Sequence, residues 1–167
     1  MDPQDILFRI DAGVFSYRVA GILIQGGKVL LQRTLDDEGY AFPGGHANFG
    51  ETSAGAVVRE FAEEIGVNIT PVRLLWIGEN FFPWGEKPCH QICLYYQVAF
   101  RGKAALPLDH SFLARDVIEG SQVQLEFSWH DLSALGDIEV YPVHAKQKLM
   151  NLSDHIEQFV FIQEPGR

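Results

Sequence analysis

The stretch Gly45–Val67, GHANFGETSAGAVVREFAEEIGV, decides how this chain is read. It begins as a loop punctuated by Gly44, Gly45 and Gly50, passes Glu51, and enters a helical pattern. On a wheel of 3.6 residues per turn, Glu60, Glu63 and Glu64 share one face, with small Ala56 above them. Ala54, Val57, Val58, Phe61 and Ile65 line the side turned to a core. Arg59 flanks the acids one turn before Glu63, and Gly66 is a stop signal.

Three glutamates this close repel one another. Each like-charged i,i+3 or i,i+4 pair costs an isolated helix roughly 0.2–0.5 kcal/mol. Arg59 offsets only part of this. A divalent cation would satisfy the group, and hard carboxylate oxygens suit Mg²⁺, with Mn²⁺ an alternative. Glu-rich helices are usually solvated faces. A solvated helix, however, needs neither a tight Gly-Gly turn before it nor a fixed glutamate at the loop–helix junction.

The chain around this stretch has 167 residues, the size of one domain with a substantial core. A formal charge of −9 leaves no basic stripe to replace the counterions of a nucleic acid duplex. A polyphosphate ligand would therefore need metal ions and local arginines. No apolar run reaches the eighteen or so residues of a membrane span, and the start, MDPQDILFRI, does not read as a signal peptide. Cys89 and Cys93 on one strand would lie about 13 Å apart, too far to bridge, which fits a reducing cytoplasm.

Upstream, residues 1–14 read as a short helix or an arm. Tyr17–Gln25 reads as a buried strand, Gly26-Gly27 as a hairpin turn and Lys28–Arg33 as the returning strand. Thr34–Tyr40 is an exposed loop, and Ala41-Phe42-Pro43 delivers the paired glycines. Downstream, Pro71–Gly78 reads as a strand and Glu79–Pro88, ENFFPWGEKP, as an aromatic-rich loop. Cys89–Arg101 is the longest strand signal, residues 102–122 are mixed, Val123–Trp129 is another strand and His130–Glu139 a turn or short helix. Pro142–Ile162 reads as a second amphipathic helix, with Ala145, Leu149, Leu152, Ile156 and Phe159 at steps of four, three, four and three. The order implies a mixed sheet between helices.

Gly45, Glu51, Arg59, Glu60, Phe61, Glu63, Glu64, Gly66 and Val67 together resemble the signature of the Nudix hydrolases at every required interval. Phe61 stands where an aliphatic is usual, a departure that touches packing rather than chemistry. A looser resemblance, carried by strand order and the Phe42-Pro43-Gly44-Gly45 lead-in, extends over roughly residues 15–162. The resemblance implies an α+β fold, an α/β/α sandwich with a mixed β-sheet, forming one Nudix hydrolase domain over residues 1–167. It also implies metal-dependent hydrolysis of a nucleoside diphosphate linked to another group, where positioning and charge neutralisation dominate.

Carried onto this chain, the resemblance makes Glu60 and Glu64 the first metal ligands. Glu63 is a further ligand or the base, and the Gly44 carbonyl is an added donor. Arg59 orients a glutamate, by pairing with a helix acid or by reaching back to Glu51. Glu51, Gly45 and Gly66 have architectural roles. Some family members recruit a carboxylate from a distant loop; Glu119 is the candidate here and Glu126 the runner-up. Arg18 and Arg33 are candidates for phosphate, Phe81, Phe82 and Trp84 for a stacked base, and His90 for phosphate contact or proton donation.

Pro83, sixteen residues beyond Val67, resembles the mark of ADP-ribose hydrolases, so ADP-ribose or a nucleotide sugar is favoured. The alternatives are a nucleoside triphosphate pyrophosphohydrolase that clears damaged nucleotides and a Nudix domain that senses nucleotide without cleaving it. The expected partner is a small nucleotide, with no duplex and no membrane; a homodimer is left open.

Overall fold

Val19 to Ile24 is almost wholly apolar, and in the structure, a computed structural model, it lies in the long strand at the centre of the sheet. Residues 4–103, 106–107, 109–118 and 121–164 are described. Strand β1 (Leu7–Ile10) folds back antiparallel on β2 (Gly13–Gln25), so of the expected helix or arm the described residues before β2 form a hairpin arm. The turn at Gly26-Gly27 leads into β3 (Lys28–Thr34) as expected. A short strand, β4 (Gly44–His46), lies antiparallel against β2, with Ala20 opposite Gly44.

Helix α1 (Ser53–Glu60) is capped by Thr52, whose side chain accepts the Gly55 N–H at 3.1 Å. The helix does not run on unchanged. Phe61–Ile65 is a π-helical turn, closed when the Gly66 N–H reaches back to the Phe61 carbonyl. Gly66 itself takes the left-handed conformation, φ 73°, of a helix stop.

Two long strands follow, β5 (Ile69–Trp84) and β6 (Lys87–Phe100). The expected loop at 79–88 is therefore mostly strand. Asn80 pairs with Gln91 and Phe82 with Cys89, and only Gly85 and Glu86 turn the corner. Aromatic residues favour the pleated, half-buried surface that this pairing offers. Then come β7 (Phe112–Ile118), β8 (Ser121–Asp131), a 3₁₀ turn at Leu132–Asp137, helix α2 (Val143–Leu149) and β9 (Glu157–Ile162).

The second helix is thus much shorter than its spacing suggested. After Leu149 the chain breaks, and Glu157–Ile162 alternates, burying Phe159 and Phe161 while exposing Gln158, Val160 and Ile162. That period of two marks a strand, and β9 lies parallel to β5.

The strand order is β7-β8-β3-β2-β6-β5-β9, with β1 and β4 added to β2, and both parallel and antiparallel pairs occur. Apolar residues collect on its two faces. One cluster joins Val19, Leu23, Leu30 and Val98 to Ala56, Val57 and Phe61 of the first helical segment. The other joins Ile22, Phe42, Trp76 and Tyr95 to Leu135, Ala145 and Leu149. This is the expected α/β/α sandwich with a mixed sheet. Cys89 and Cys93 are free and buried on β6. Among the described residues no helix is long and apolar enough to cross a membrane.

Candidate functional site

Arg59 organises the signature segment. Its guanidinium holds both oxygens of Glu51, Nε to Oε1 at 2.8 Å and Nη2 to Oε2 at 3.0 Å. Nη1 donates to Glu60 Oε1 at 2.8 Å and Glu63 Oε2 at 3.0 Å, and Nη2 donates to the His46 carbonyl at 2.9 Å. Both routes open to Arg59 in the sequence are used at once. Glu51 also accepts the Asn48 N–H at 3.0 Å, tying the loop to the helix. The guanidinium holds the Glu51 carboxyl below its ordinary pKa.

The three helix glutamates are not equivalent. Glu60 is only 8% exposed, Glu64 is half-buried and Glu63 is exposed. The π-helical turn after Glu60 inserts backbone into the helical period, so the 3.6-residue wheel no longer places Glu63 and Glu64. Burial raises the Glu60 pKa, while Arg59 opposes that shift. The Glu60 carboxylate rests against Gly45: a Cβ there would stand 2.4 Å from Glu60 Cδ and 2.5 Å from each oxygen. Gly45 thus provides the space in which this carboxylate sits. Ala56, expected above the acids, is instead fully buried in the core.

Among the described residues no three His, Cys, Asp or Glu side chains stand close enough to hold a metal ion unaided. The expected convergence of Glu60, Glu63 and Glu64 is therefore absent from this arrangement, in which Arg59 draws Glu60 and Glu63 to itself. The donor chemistry still suits Mg²⁺, which usually keeps several waters and takes one or two carboxylates plus substrate phosphates. A buried carboxylate in a cradle that a side chain at Gly45 would fill meets that requirement. The Gly44 carbonyl accepts Arg18 Nη2 at 3.0 Å, and Arg18 also reaches the Phe42 carbonyl at 3.4 Å.

A cavity of about 510 Å³ adjoins this loop. Arg18, Arg33, Phe82, Trp84 and His46 line it. His46 joins the two regions, since its carbonyl is held by Arg59 while its ring stacks on Trp84 at 6.0 Å. Arg33 Nε meets Glu126 Oε2 at 2.7 Å, and its guanidinium lies 4.9 Å from the centre of the Tyr40 ring. Glu126 is therefore the partner of Arg33 at the cavity rim. Phe81 and His90 point elsewhere: their rings pack at 4.4 Å, and His90 Nε2 meets Glu79 Oε1 at 2.9 Å. Neither lines the cavity. Strand alternation, not recoverable while 79–88 read as a loop, separates Phe81 from Phe82. Glu119 lies outside the described residues.

Two residues that the sequence did not single out, Gln32 and Asn80, also line the cavity. Asn80 belongs to a buried chain of polar groups. Its Nδ2 donates to Gln91 Oε1 at 3.1 Å and Tyr95 Oη at 3.3 Å. Gln91 Nε2 donates to Ser16 Oγ at 3.2 Å, and Ser16 meets His46 Nε2 at 3.1 Å. Asn80 Oδ1 and Gln32 Oε1 are buried without a hydrogen bond. An unsatisfied buried acceptor costs about 1–3 kcal/mol, so each requires an explanation.

Residues 15–148 match the NUDIX domain, and the chain belongs to that family. The RNA pyrophosphohydrolase of Baumannia cicadellinicola subsp. Homalodisca coagulata is 36% identical over 92 residues, which are 48% of this chain and 56% of that protein. Another RNA pyrophosphohydrolase, from Erwinia tasmaniensis, is 40% identical over 63 residues, 36% of each chain. The match thus spans about half or less of these curated relatives. Among solved structures, the MutT protein of Bacillus halodurans superposes with a TM-score of 0.59 at 15% identity, covering 90% of this chain and 91% of its own. That likeness shows the fold.

Proposed function

We propose that the protein is a divalent-metal-dependent pyrophosphohydrolase that cleaves a nucleoside diphosphate linked to another moiety, of the ADP-ribose or nucleotide-sugar type. The observation that carries this reading is the Glu60 carboxylate, buried against Gly45 and held by Arg59, which also holds the carbonyl of His46 in the wall of a cavity of about 510 Å³. Family membership supports the same chemistry.

Glu60 and Glu64 hold the ion, with Glu63 a further ligand or the base and the Gly44 carbonyl an added donor. A bound divalent ion supplies charge neutralisation at the phosphates and lowers the pKa of water. Arg59 is a positioning residue, fixing the rotamer of Glu60 and tying it through Glu51 to the loop. Arg18, which lines the cavity and donates to the Gly44 carbonyl, adds positive charge beside the phosphates. Glu119 is proposed as the distant base. Phe82 and Trp84 supply a wall against which a base stacks. Arg33, paired with Glu126, serves the far rim.

The names of the curated relatives favour a second reading, cleavage of a phosphoric anhydride on RNA. The net charge of −9 weighs against a long polyanion. Product analysis across ADP-ribose, nucleotide sugars, nucleoside triphosphates and a short RNA bearing a 5′ anhydride, with Mg²⁺ and with EDTA, decides: ADP-ribose yields AMP plus ribose phosphate, a triphosphate yields monophosphate plus pyrophosphate. Turnover of ADP-ribose or a nucleotide sugar that EDTA stops and Glu60→Gln abolishes is expected. Binding without turnover throughout would make the domain a nucleotide sensor.

A further inference from the structure

A row of apolar side chains crosses five strands of the sheet and stays open to solvent. Phe8 on β1 stands opposite Phe15 on β2, and Phe15 stands beside His90 on β6. His90 pairs in turn with Phe81 on β5, and Phe81 with Ile162 on β9. The rings follow one another across the sheet, Phe8 to Phe15 at 6.3 Å, Phe15 to His90 at 6.1 Å and His90 to Phe81 at 4.4 Å. Phe49 meets Phe8 edge-on at 6.1 Å. Ile10 and Val160, each two residues along its strand from an end of the row, share its face.

This face is not the cavity. Strand alternation puts Phe15 on the side of Tyr17 and Val19, and Phe81 on the side away from Phe82. Helix α1 packs on the half of the face that carries Val19, Leu23 and Val98. On the other half, Phe8, Ile10, Phe15, Phe49, Val160 and Ile162 are each 37–66% exposed, and no element among the described residues buries them.

Area and charge both point to what fits there. Six such side chains leave about 600 Å² of largely apolar surface open. The largest apolar patch of a monomer is ordinarily about 300–600 Å², and a stable interface takes about 800 Å² from each partner. His90 and Phe81, lying between the six, bring the patch close to that requirement. Glu79, whose carboxylate adjoins the row on β5, is taken up by His90 Nε2 at 2.9 Å. Elsewhere the formal charge of −9 opposes the approach of a like molecule. On this face carbon meets carbon, and one patch meeting itself across a twofold axis is self-complementary.

We propose that the row is the contact face of a twofold homodimer, its occupant a second copy of this chain. The proposal goes beyond the reading of the catalytic site and does not depend on it. It also ties the arm to the cavity. Arg9, on the opposite side of β1 from Phe8 and Ile10, lies 5.1 Å from the centre of the Trp84 ring in the cavity wall. A partner resting on Phe8 and Ile10 holds that arm in place.

Sedimentation velocity of the full chain across micromolar concentrations tests it, and the mass of two chains is expected. Phe8→Glu and Ile162→Glu, at the two ends of the row, should each weaken self-association about tenfold or more while circular dichroism stays native. If one of them fails to fold, the other decides. Met150→Glu, at an exposed apolar position at the end of α2 in the layer across the sheet, should leave the dimer intact. A monomeric wild type, which leaves the row to another protein or to the chain's own ends, overturns the proposal. So does a dimer that both substitutions leave intact, or one that Met150→Glu breaks as readily. Sedimentation reads no turnover, so an inactive dimer removes the proposed activity alone and an active monomer removes the dimer alone.

Discussion

Arg59 and Glu51 face each other as a two-pronged pair, Nε to Oε1 and Nη2 to Oε2, at 2.8 and 3.0 Å. Both side chains are about one-fifth exposed, so solvent screens the pair only in part. The same guanidinium reaches Glu60, Glu63 and the His46 carbonyl. One side chain therefore links the loop, the helix and the cavity wall.

Glu51→Gln should lower stability by about 1–3 kcal/mol at neutral pH. The pH dependence has a definite sign. Arg59 holds the Glu51 carboxyl below its ordinary value of 4.5, so its stabilisation is complete above that value and fades as pH falls through the lower folded value. Burial raises Glu60, whose effect has the opposite sign. Urea denaturation across pH 7 to about 3 should show the gap between wild type and Glu51→Gln closing below about 4.5. A gap independent of pH would contradict the pairing.

Gly45→Ala should imitate Glu60→Gln. The added Cβ would fall 2.4–2.5 Å from the Glu60 carboxylate and push it out of its cradle. A misplacement of about 1 Å can cost about 10²-fold in rate. Mg²⁺-dependent turnover should drop by that order while circular dichroism stays native. Full activity in the alanine variant would mean that Glu60 need not sit against Gly45.

Phe61 and Gly21 form a matched pair across the helix–sheet interface. A Cβ at Gly21 would lie 2.4 Å from Phe61 Cε2 and 2.7 Å from Cζ. Gly21→Ala should therefore destabilise by about 1–3 kcal/mol through overpacking. Adding Phe61→Leu should recover part of that loss, giving a favourable coupling in a double-mutant cycle followed by thermal denaturation. Strict additivity would show that the two residues do not compete for one space.

Both thiols should be silent in the native protein. Cys89 and Cys93 are 2% and 1% exposed, and burial pushes each thiol up to about 11. A disulfide-exchange reagent at about pH 8 should titrate neither in folded protein and both in denaturant, since thiolate and access are required together. Rapid labelling of the native fold would place a cysteine at the surface.

Local signals in the chain were sufficient for the signature loop, the helix start, the central strands and the sandwich. Glycine turns, β-branched runs and motif spacing are properties of neighbours in sequence. They named a helix acid and Glu51 as alternative partners of Arg59, while the structure shows both used at once. They misread Pro142–Ile162, where a helical count of apolar residues matched by accident a short helix, a break and the alternating strand Glu157–Ile162. They also misread 79–88, because a proline and a glycine beside aromatic residues suggest a loop until a partner strand is present to pair them.

By itself the sequence determined the family, the set of acidic residues and the cradle glycine, because these depend on residue type at fixed spacing. Only the tertiary structure decided that Glu60 is buried while Glu63 is exposed, since the π-helical turn shifts the helical period. It also decided that Phe82 lines the cavity while Phe81 does not, and that Gln32 and Asn80 are among its lining residues. Those facts follow from pairing between strands far apart in the chain, which no local pattern encodes.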